Sequence, residues 1–242
     1  MAGEFALIER LLKQVAPANA DQAPGLILGP GDDCALIAPP AADESWAITT
    51  DMLVEGTHFL GTDNHEDLGW KTLAVNLSDL AAMGARPRYV TLAVSLLATD
   101  ERTGWVDRFI TGFAACAKQY DVSLIGGDTT RGPRSFSVTA IGTVNPHQAL
   151  RRSGAQDQDD IWVSGNLGLA ALGLAHKLGT THLPTALAEC AAAALHHPQP
   201  RVALGQALVG LAHSCLDVSD GLLQDLGHIT QASGLAASLQ QT

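Results

Sequence analysis

Five short stretches set a carboxylate beside Gly, Ser or Thr at the expected end of an apolar segment. They are Gly31-Asp32-Asp33, Thr49-Thr50-Asp51, Ser78-Asp79, Gly127-Asp128-Thr129 and Asp217-Val218-Ser219-Asp220-Gly221. Small residues let backbone approach a phosphate closely, and carboxylate oxygens are the hard ligands that Mg²⁺ takes. The pattern is one of magnesium–phosphate chemistry. Aspartates gathered by a fold without a cation repel one another, so their convergence would itself call for bound metal.

Each stretch also has a plainer reading. Gly31–Asp33 reads as a solvated turn and Thr49–Asp51 as a polar strand end. Asn76 and Asp79 are harder to dismiss: they lie three apart on an otherwise Leu- and Ala-rich helix, share a face with Met83, and a buried carboxylate is costly unless paired or metal-bound. Gly126–Arg134 begins where an apolar strand is expected to end. There two glycines allow close approach, Asp128 can hold Mg²⁺ and Arg131 or Arg134 can pair with phosphate, while a glycine-rich hairpin fits equally. In Asp217–Gly221, Ser219 or Asp220 suits a helix N-cap, and the helix N-terminus would favour a phosphate as well. His58, after Glu55-Gly56-Thr57, is a candidate substrate contact among nine histidines. The sequence has no P-loop, G-x-G-x-x-G, H-E-x-x-H or G-x-S-x-G motif, and no catalytic base stands out.

The elements that must position these residues follow from periodicity. A helix is predicted through Phe5, Ile8, Leu12 and Val15, then a strand-and-turn passage over Pro24–Asp33 and a strand over Trp46–Thr50. Leu73, Leu77 and Leu80 mark a helix from Glu66 to Met83, stopped by Gly84 and Pro87. Strands are expected at Tyr89–Leu97, Val122–Ile125 and Phe136–Val144, with a helix over Trp105–Tyr120. The polar passage Asn145–Asp160 reads as a boundary between residues 1–148, an α/β domain, and residues 149–242. In the second part a strand at Ile161–Ser164 precedes helices at Leu167–Leu178, Pro184–His197 and Val202–Ala212. A strand at Cys215–Val218 then feeds a helix at Asp220–Ser233, and a last strand begins at Leu235–Leu239.

Composition narrows the function classes. The 242 residues are 46% hydrophobic and 16% charged, enough to bury a sizeable core. A net charge of −11 argues against a nucleic-acid or anionic-membrane partner. An anionic substrate would therefore need metal ions or a few local arginines. Cys34, Cys116, Cys190 and Cys215 have no metal-ligand spacing and read as four buried thiols. No leader-like start or long apolar run occurs, so the expectation is a soluble cytoplasmic protein.

Taken together, these motifs resemble a known family. Gly3-Glu4-Phe5 with Leu7-Ile8, Gly31-Asp32-Asp33-Cys34-Ala35, Thr49 through Phe59, Asn76 through Ala85, Gly126 through Thr130 and Asp217 through Leu222 are similar, in order and spacing, to thiamine-monophosphate kinase. This family sits in a superfamily with aminoimidazole ribonucleotide synthetase and selenophosphate synthetase. The resemblance implies an α/β (α+β) two-domain fold of the aminoimidazole ribonucleotide synthetase type, whose N-terminal sheet pairs across a homodimer. It implies direct in-line transfer of the ATP γ-phosphoryl group to thiamine monophosphate, assisted by Mg²⁺, giving thiamine diphosphate.

By the same resemblance Asp33, Thr49, Thr50, Asp51, Asp79, Asp128, Asp217 and Asp220 match metal positions. Gly127, Asp128, Arg152 and Ser219 match nucleotide contacts, and His58 a substrate contact. The family carries a further Gly-Glu-Asp-Tyr-Glu type motif that is not found before Thr242, which implies an incomplete C-terminal α/β domain.

Overall fold

In the computed structural model, which describes residues 13, 25–28 and 36–240, a four-stranded sheet forms where the sequence alternates. Its strands are β3 (Ser45–Val54), β4 (Arg86–Leu96), β5 (Ser123–Arg131) and β6 (Ser135–Val144), in the order β3-β6-β4-β5. A short ribbon of β1 (Leu26–Leu28) and β2 (Leu36–Ile37) precedes them. Val90, Leu92, Val94 and Leu96 of β4 point into the core, and Thr91, Ala93 and Ser95 between them face the other side. β6 runs antiparallel to both β3 and β4, whereas β5 is parallel to β4, as the crossover helix between them requires.

Two helices cover the inner face: α1 (His65–Ala82) and the crossover α2 (Trp105–Gln119). Leu73, Leu77, Ile110, Phe113, Phe136 and Val138 are fully or almost fully buried between them and the sheet. Asn64 caps α1, accepting hydrogen bonds from the N–H groups of Glu66 and Asp67 at 2.8 and 3.2 Å. The two helices approach unusually closely, because a glycine faces the partner's backbone from each side. A Cβ on Gly69 would lie 1.9 Å from the Phe109 carbonyl oxygen, and one on Gly112 would lie 1.7 Å from that of Glu66. Further α-helices among the described residues are α3 (Leu169–Lys177), α4 (Thr185–His196), α5 (Val202–Leu208) and α6 (Leu222–Ser233).

Several sequence expectations are corrected here. Ile161–Ser164, Cys215–Val218 and Leu235–Leu239 are not strands. A strand exists only through its ladder, and among the described residues no strand lies beside these segments: Trp162 is 87% exposed, and the Cys215 N–H goes instead to the Arg151 carbonyl at 2.8 Å. The expected stop at Ile125 does not occur either, because β5 continues through Gly126–Arg131 alongside β4. Nor do β5 and β6 form a hairpin, since β6 inserts between β3 and β4. Cys116 is buried, but Cys190 is exposed on α4, where the adjacent Ala191 takes the buried position against Gly173 of α3. Of the helix expected through Phe5–Val15 only Lys13 is described, and it is helical; Cys34 and Asp33 lie outside the described residues.

The helix contact yields a first prediction. Gly112→Ala forces a methyl group against backbone that no rotamer change can move, so stability should fall by about 3 kcal/mol in urea unfolding. A loss below about 1 kcal/mol would show that α1 and α2 are not held at this separation.

Candidate active site

A single amide organises the acidic residues. Asn76, completely buried on α1, accepts the Asp51 N–H through Oδ1 at 2.9 Å and donates through Nδ2 to the Thr72 carbonyl at 3.1 Å. This joins the centre of β3 to the helix. One turn further along α1, Asp79 accepts a 2.6 Å hydrogen bond from the Thr49 hydroxyl. Thr49 and Asp51 share the α1-facing side of β3 by the two-residue period of a strand, while Ile48 and Met52 on the other side are 65% and 55% exposed.

The loop before α6 brings a third carboxylate. Asp217 takes a hydrogen bond from Ser78, the neighbour of Asp79, and the fields of the three aspartates overlap in a chain from Asp51 to Asp79 to Asp217. Burial raises the pKa of each above the usual carboxylate range. Asp217 adds to the rise at Asp51, Asp51 to that at Asp79, and Asp79 to that at Asp217. Two other groups act against it, the His58 imidazole at Asp51 and the Arg152 guanidinium at Asp79. Among the described residues, no three His, Cys, Asp or Glu side chains already converge on a common point at metal-ligand distances. The donors are nonetheless oxygen-only and mutually repelling, which suits a hard divalent cation.

The loop owes its shape to a residue that sequence reading missed. Asp225, 3% exposed in the first turn of α6, reaches back so that one oxygen accepts the N–H groups of Ser219, Asp220 and Gly221 at 2.9, 3.1 and 3.0 Å. Neither Ser219 nor Asp220 caps the helix with its side chain, and the N–H groups expected for a phosphate are filled by the protein's own carboxylate. The sequence offers no particular signal for it, since an acid in the first turn of a helix is ordinary.

Other predicted site residues stand apart. Thr50 faces the opposite side of β3 and bonds to Thr139 at 2.8 Å. Asp128 is distant: Asp51 pairs with Val138, Val138 with Leu92 and Leu92 with Gly127, so Asp128 lies three strands from Asp51, or about 14 Å at ~4.8 Å per strand. Gly127 has a packing reason of its own, since a Cβ there would sit 2.0 Å from the Leu92 carbonyl oxygen. Asp220 is exposed and accepts from the Gln224 amide at 2.9 Å. Ser219 and Arg152 are exposed near the cluster, and His58 lies in the turn after β3, where its Nδ1 accepts the Val54 N–H at 3.1 Å. Arg134 does not offer itself to phosphate. It is bidentate to buried Asp100 at 2.9 and 2.6 Å, pairs with Glu55 at 3.1 Å and lies over the Trp105 ring.

Comparison with known proteins agrees with this architecture. Residues 31–144 match the family of AIR synthase related proteins, N-terminal domain. Thiamine-monophosphate kinase of Haemophilus influenzae is 44% identical over 241 residues, covering 99% of this chain and 71% of that protein. The crystal structure of thiamine-monophosphate kinase from Stenotrophomonas maltophilia K279a superposes with a TM-score of 0.84 at 50% identity, covering 96% of this chain and 72% of that one. AaThiL complexed with AMPPCP and TMP superposes with a TM-score of 0.74 at 29% identity, covering 96% and 71%.

The raised carboxylates carry a stability consequence. A carboxyl whose folded pKa lies above its unfolded value stabilises the fold below about pH 4, and that contribution is lost as pH rises through the raised value. At neutral pH without divalent cations the cluster is therefore a net cost. Asp79→Asn, which keeps the acceptor for Thr49, should raise the thermal midpoint at pH 7 in chelator-treated buffer, with the gain shrinking toward pH 4. A lower midpoint at pH 7 would contradict the repulsion.

Proposed function

We propose that this chain, which belongs to the thiamine-monophosphate kinase family, transfers the γ-phosphoryl group of ATP to thiamine monophosphate and so forms thiamine diphosphate. The observation that carries the reading is the acidic cluster of Asp51, Asp79 and Asp217, held in place by Asn76, Thr49 and Ser78. The transfer is direct and in line. The acceptor phosphate is already an anion near neutral pH, so it needs alignment and charge neutralisation more than deprotonation.

Asp51, Asp79 and Asp217 would hold Mg²⁺, which when bound neutralises charge on the phosphate oxygens. Asp33, Thr49, Thr50, Asp128 and Asp220 are the remaining metal positions of the proposal, and of these Thr50 turns its side chain to the other face of β3. Gly127 and Asp128 on β5, with Arg152 and Ser219, form the nucleotide side, and His58 contacts the acceptor. Thr49 fixes the Asp79 carboxylate, and Asp225 fixes the loop that carries Asp217. Residues 1–148 form the nucleotide- and metal-binding domain and 149–242 the second. Among the described residues no helix is long and apolar enough to cross a membrane.

Pairing with a second copy belongs to the same proposal. The outer face of β3 exposes Ile48 and Met52 beside the half-buried Trp46, a surface suited to a symmetric partner. Light scattering at micromolar concentration should give twice the chain mass, and a stable monomer would count against the pairing.

The activity itself is tested by a coupled assay for ADP release with ATP, Mg²⁺ and thiamine monophosphate, run beside aminoimidazole precursors and selenide as rival acceptors. Thiamine monophosphate should be the acceptor used. Asp79→Asn and Asp51→Asn should each lower turnover by about 100-fold or more, the size expected for loss of one key electrostatic group. Near-normal turnover of Asp79→Asn at saturating Mg²⁺ would remove Asp79 from the catalytic set.

A further inference from the structure

Beside the acidic cluster, a second set of ionisable groups gathers where the turn after β3 and α1 meet α3 and α4. Asp63, 8% exposed, is ion-paired with Lys177 of α3, and its other oxygen accepts the Leu60 N–H at 3.2 Å. His196 of α4 lies 3.9 Å from that second oxygen, and its Nε2 is 3.3 Å from the Lys177 ammonium. The Asp63 carboxylate is thus taken up. Lys71, on α1, is left over.

Among the described residues Lys71 forms no ion pair, and its ammonium makes one hydrogen bond, to the His58 carbonyl at 3.4 Å. An ammonium has three donors, so two are unused here. Burial lowers the pKa of Lys71; Asp63 opposes the fall and Lys177 adds to it. Asp67, one turn earlier on α1, is felt at His196 but makes no ion pair with Lys71. Holding a partly desolvated, under-bonded ammonium costs the fold stability. A charge kept in that state is one that an incoming anion would satisfy.

Its place points to which anion. Lys71 bonds to the carbonyl of His58, and the imidazole of His58 is felt at Asp51. Because His58 Nδ1 accepts the Val54 N–H, a neutral imidazole carries its proton on Nε2, which has no hydrogen-bond partner among the described residues. Along α1, Lys71 and Ser78 are seven residues apart and so lie on nearly the same side, about 10 Å along the axis. Ser78 in turn bonds to Asp217. A line of polar groups therefore runs from the carboxylates past His58 to Lys71.

We propose that Lys71, with the Nε2–H of His58, forms an anion subsite that receives the phosphate monoester of the acceptor. A fixed cation here offsets the repulsion between two phosphate-bearing substrates on a chain of net charge −11. The proposal rests on the kinase reading, since it takes the acceptor to be a phosphate monoester.

The test compares wild type with Lys71→Met and Lys71→Arg, using calorimetry for thiamine monophosphate, thiamine and a non-hydrolysable ATP analogue, and ³¹P line broadening for inorganic phosphate. Lys71→Met should weaken thiamine monophosphate at least tenfold and abolish phosphate broadening. Thiamine and the ATP analogue should change less than about twofold, and Lys71→Arg should recover part of the loss. The thermal midpoint of Lys71→Met should be unchanged or higher; a fall of several degrees would make Lys71 a structural cation and overturn the proposal. Unchanged binding of both phosphate and thiamine monophosphate by Lys71→Met would also overturn it, while leaving the kinase reading to the turnover of the wild type. If wild type ignores thiamine monophosphate yet its phosphate binding needs Lys71, the subsite stands and the kinase reading falls.

Discussion

The hydrogen bonds of Asn76 are the constraint on which the site depends. A fully buried side-chain amide is tolerated only when both ends are satisfied, and here one end takes a strand N–H and the other a helix carbonyl. The bond to Asp51 sets where β3 meets α1. Asp79 then falls within reach of Thr49. Any shift of α1 by one residue would leave the amide unpaired and separate the carboxylates at once, so the site inherits its precision from a packing requirement.

That requirement is met because α1 is clamped from its other side as well. Gly69 and Gly112 let α1 and α2 approach until each backbone lies against the other's missing Cβ, and the aromatic cluster of Trp105, Phe109 and Phe136 fills the space toward the sheet. The same helix reaches the C-terminal helices. Trp70 donates through Nε1 to the Pro198 carbonyl at 2.7 Å and stacks on His197, while Tyr120, just after α2, donates to the Pro200 carbonyl at 3.2 Å. One helix therefore registers three parts of the chain against one another, and the functional groups it carries move only if the core moves.

The charged groups run against this stability. Three carboxylates are raised by burial and by one another, and an ammonium is left short of partners. Each is a cost to the fold that a bound ion of opposite sign would relieve, the usual sign of a site built for ligands rather than for rigidity. By contrast, the buried Arg134–Asp100 pair is bidentate and fully occupied, and it ties the start of β6 to the turn before α2 without leaving charge to spare.

What the sequence determined by itself was local or carried in motifs. The 3.6-residue stripe of Leu73, Leu77 and Leu80 placed α1, the two-residue alternation of Val90 to Leu96 placed β4, and the Asp-bearing motifs pointed to the chemistry and the family. Tertiary structure decided which of those aspartates meet. Strand order is a long-range choice that no local pattern encodes, and it leaves Asp128 three strands from Asp51, while the packing of α1 on β3 and the course of the loop before α6 bring Asp79 and Asp217 close to it. Strands do not form in 161–164, 215–218 and 235–239 for the same reason, because an extended segment becomes a strand only beside a partner. The roles of Asp225 and Lys71 were likewise out of reach. Each is an ordinary charged residue on a helix until the fold shows what its charge is turned toward.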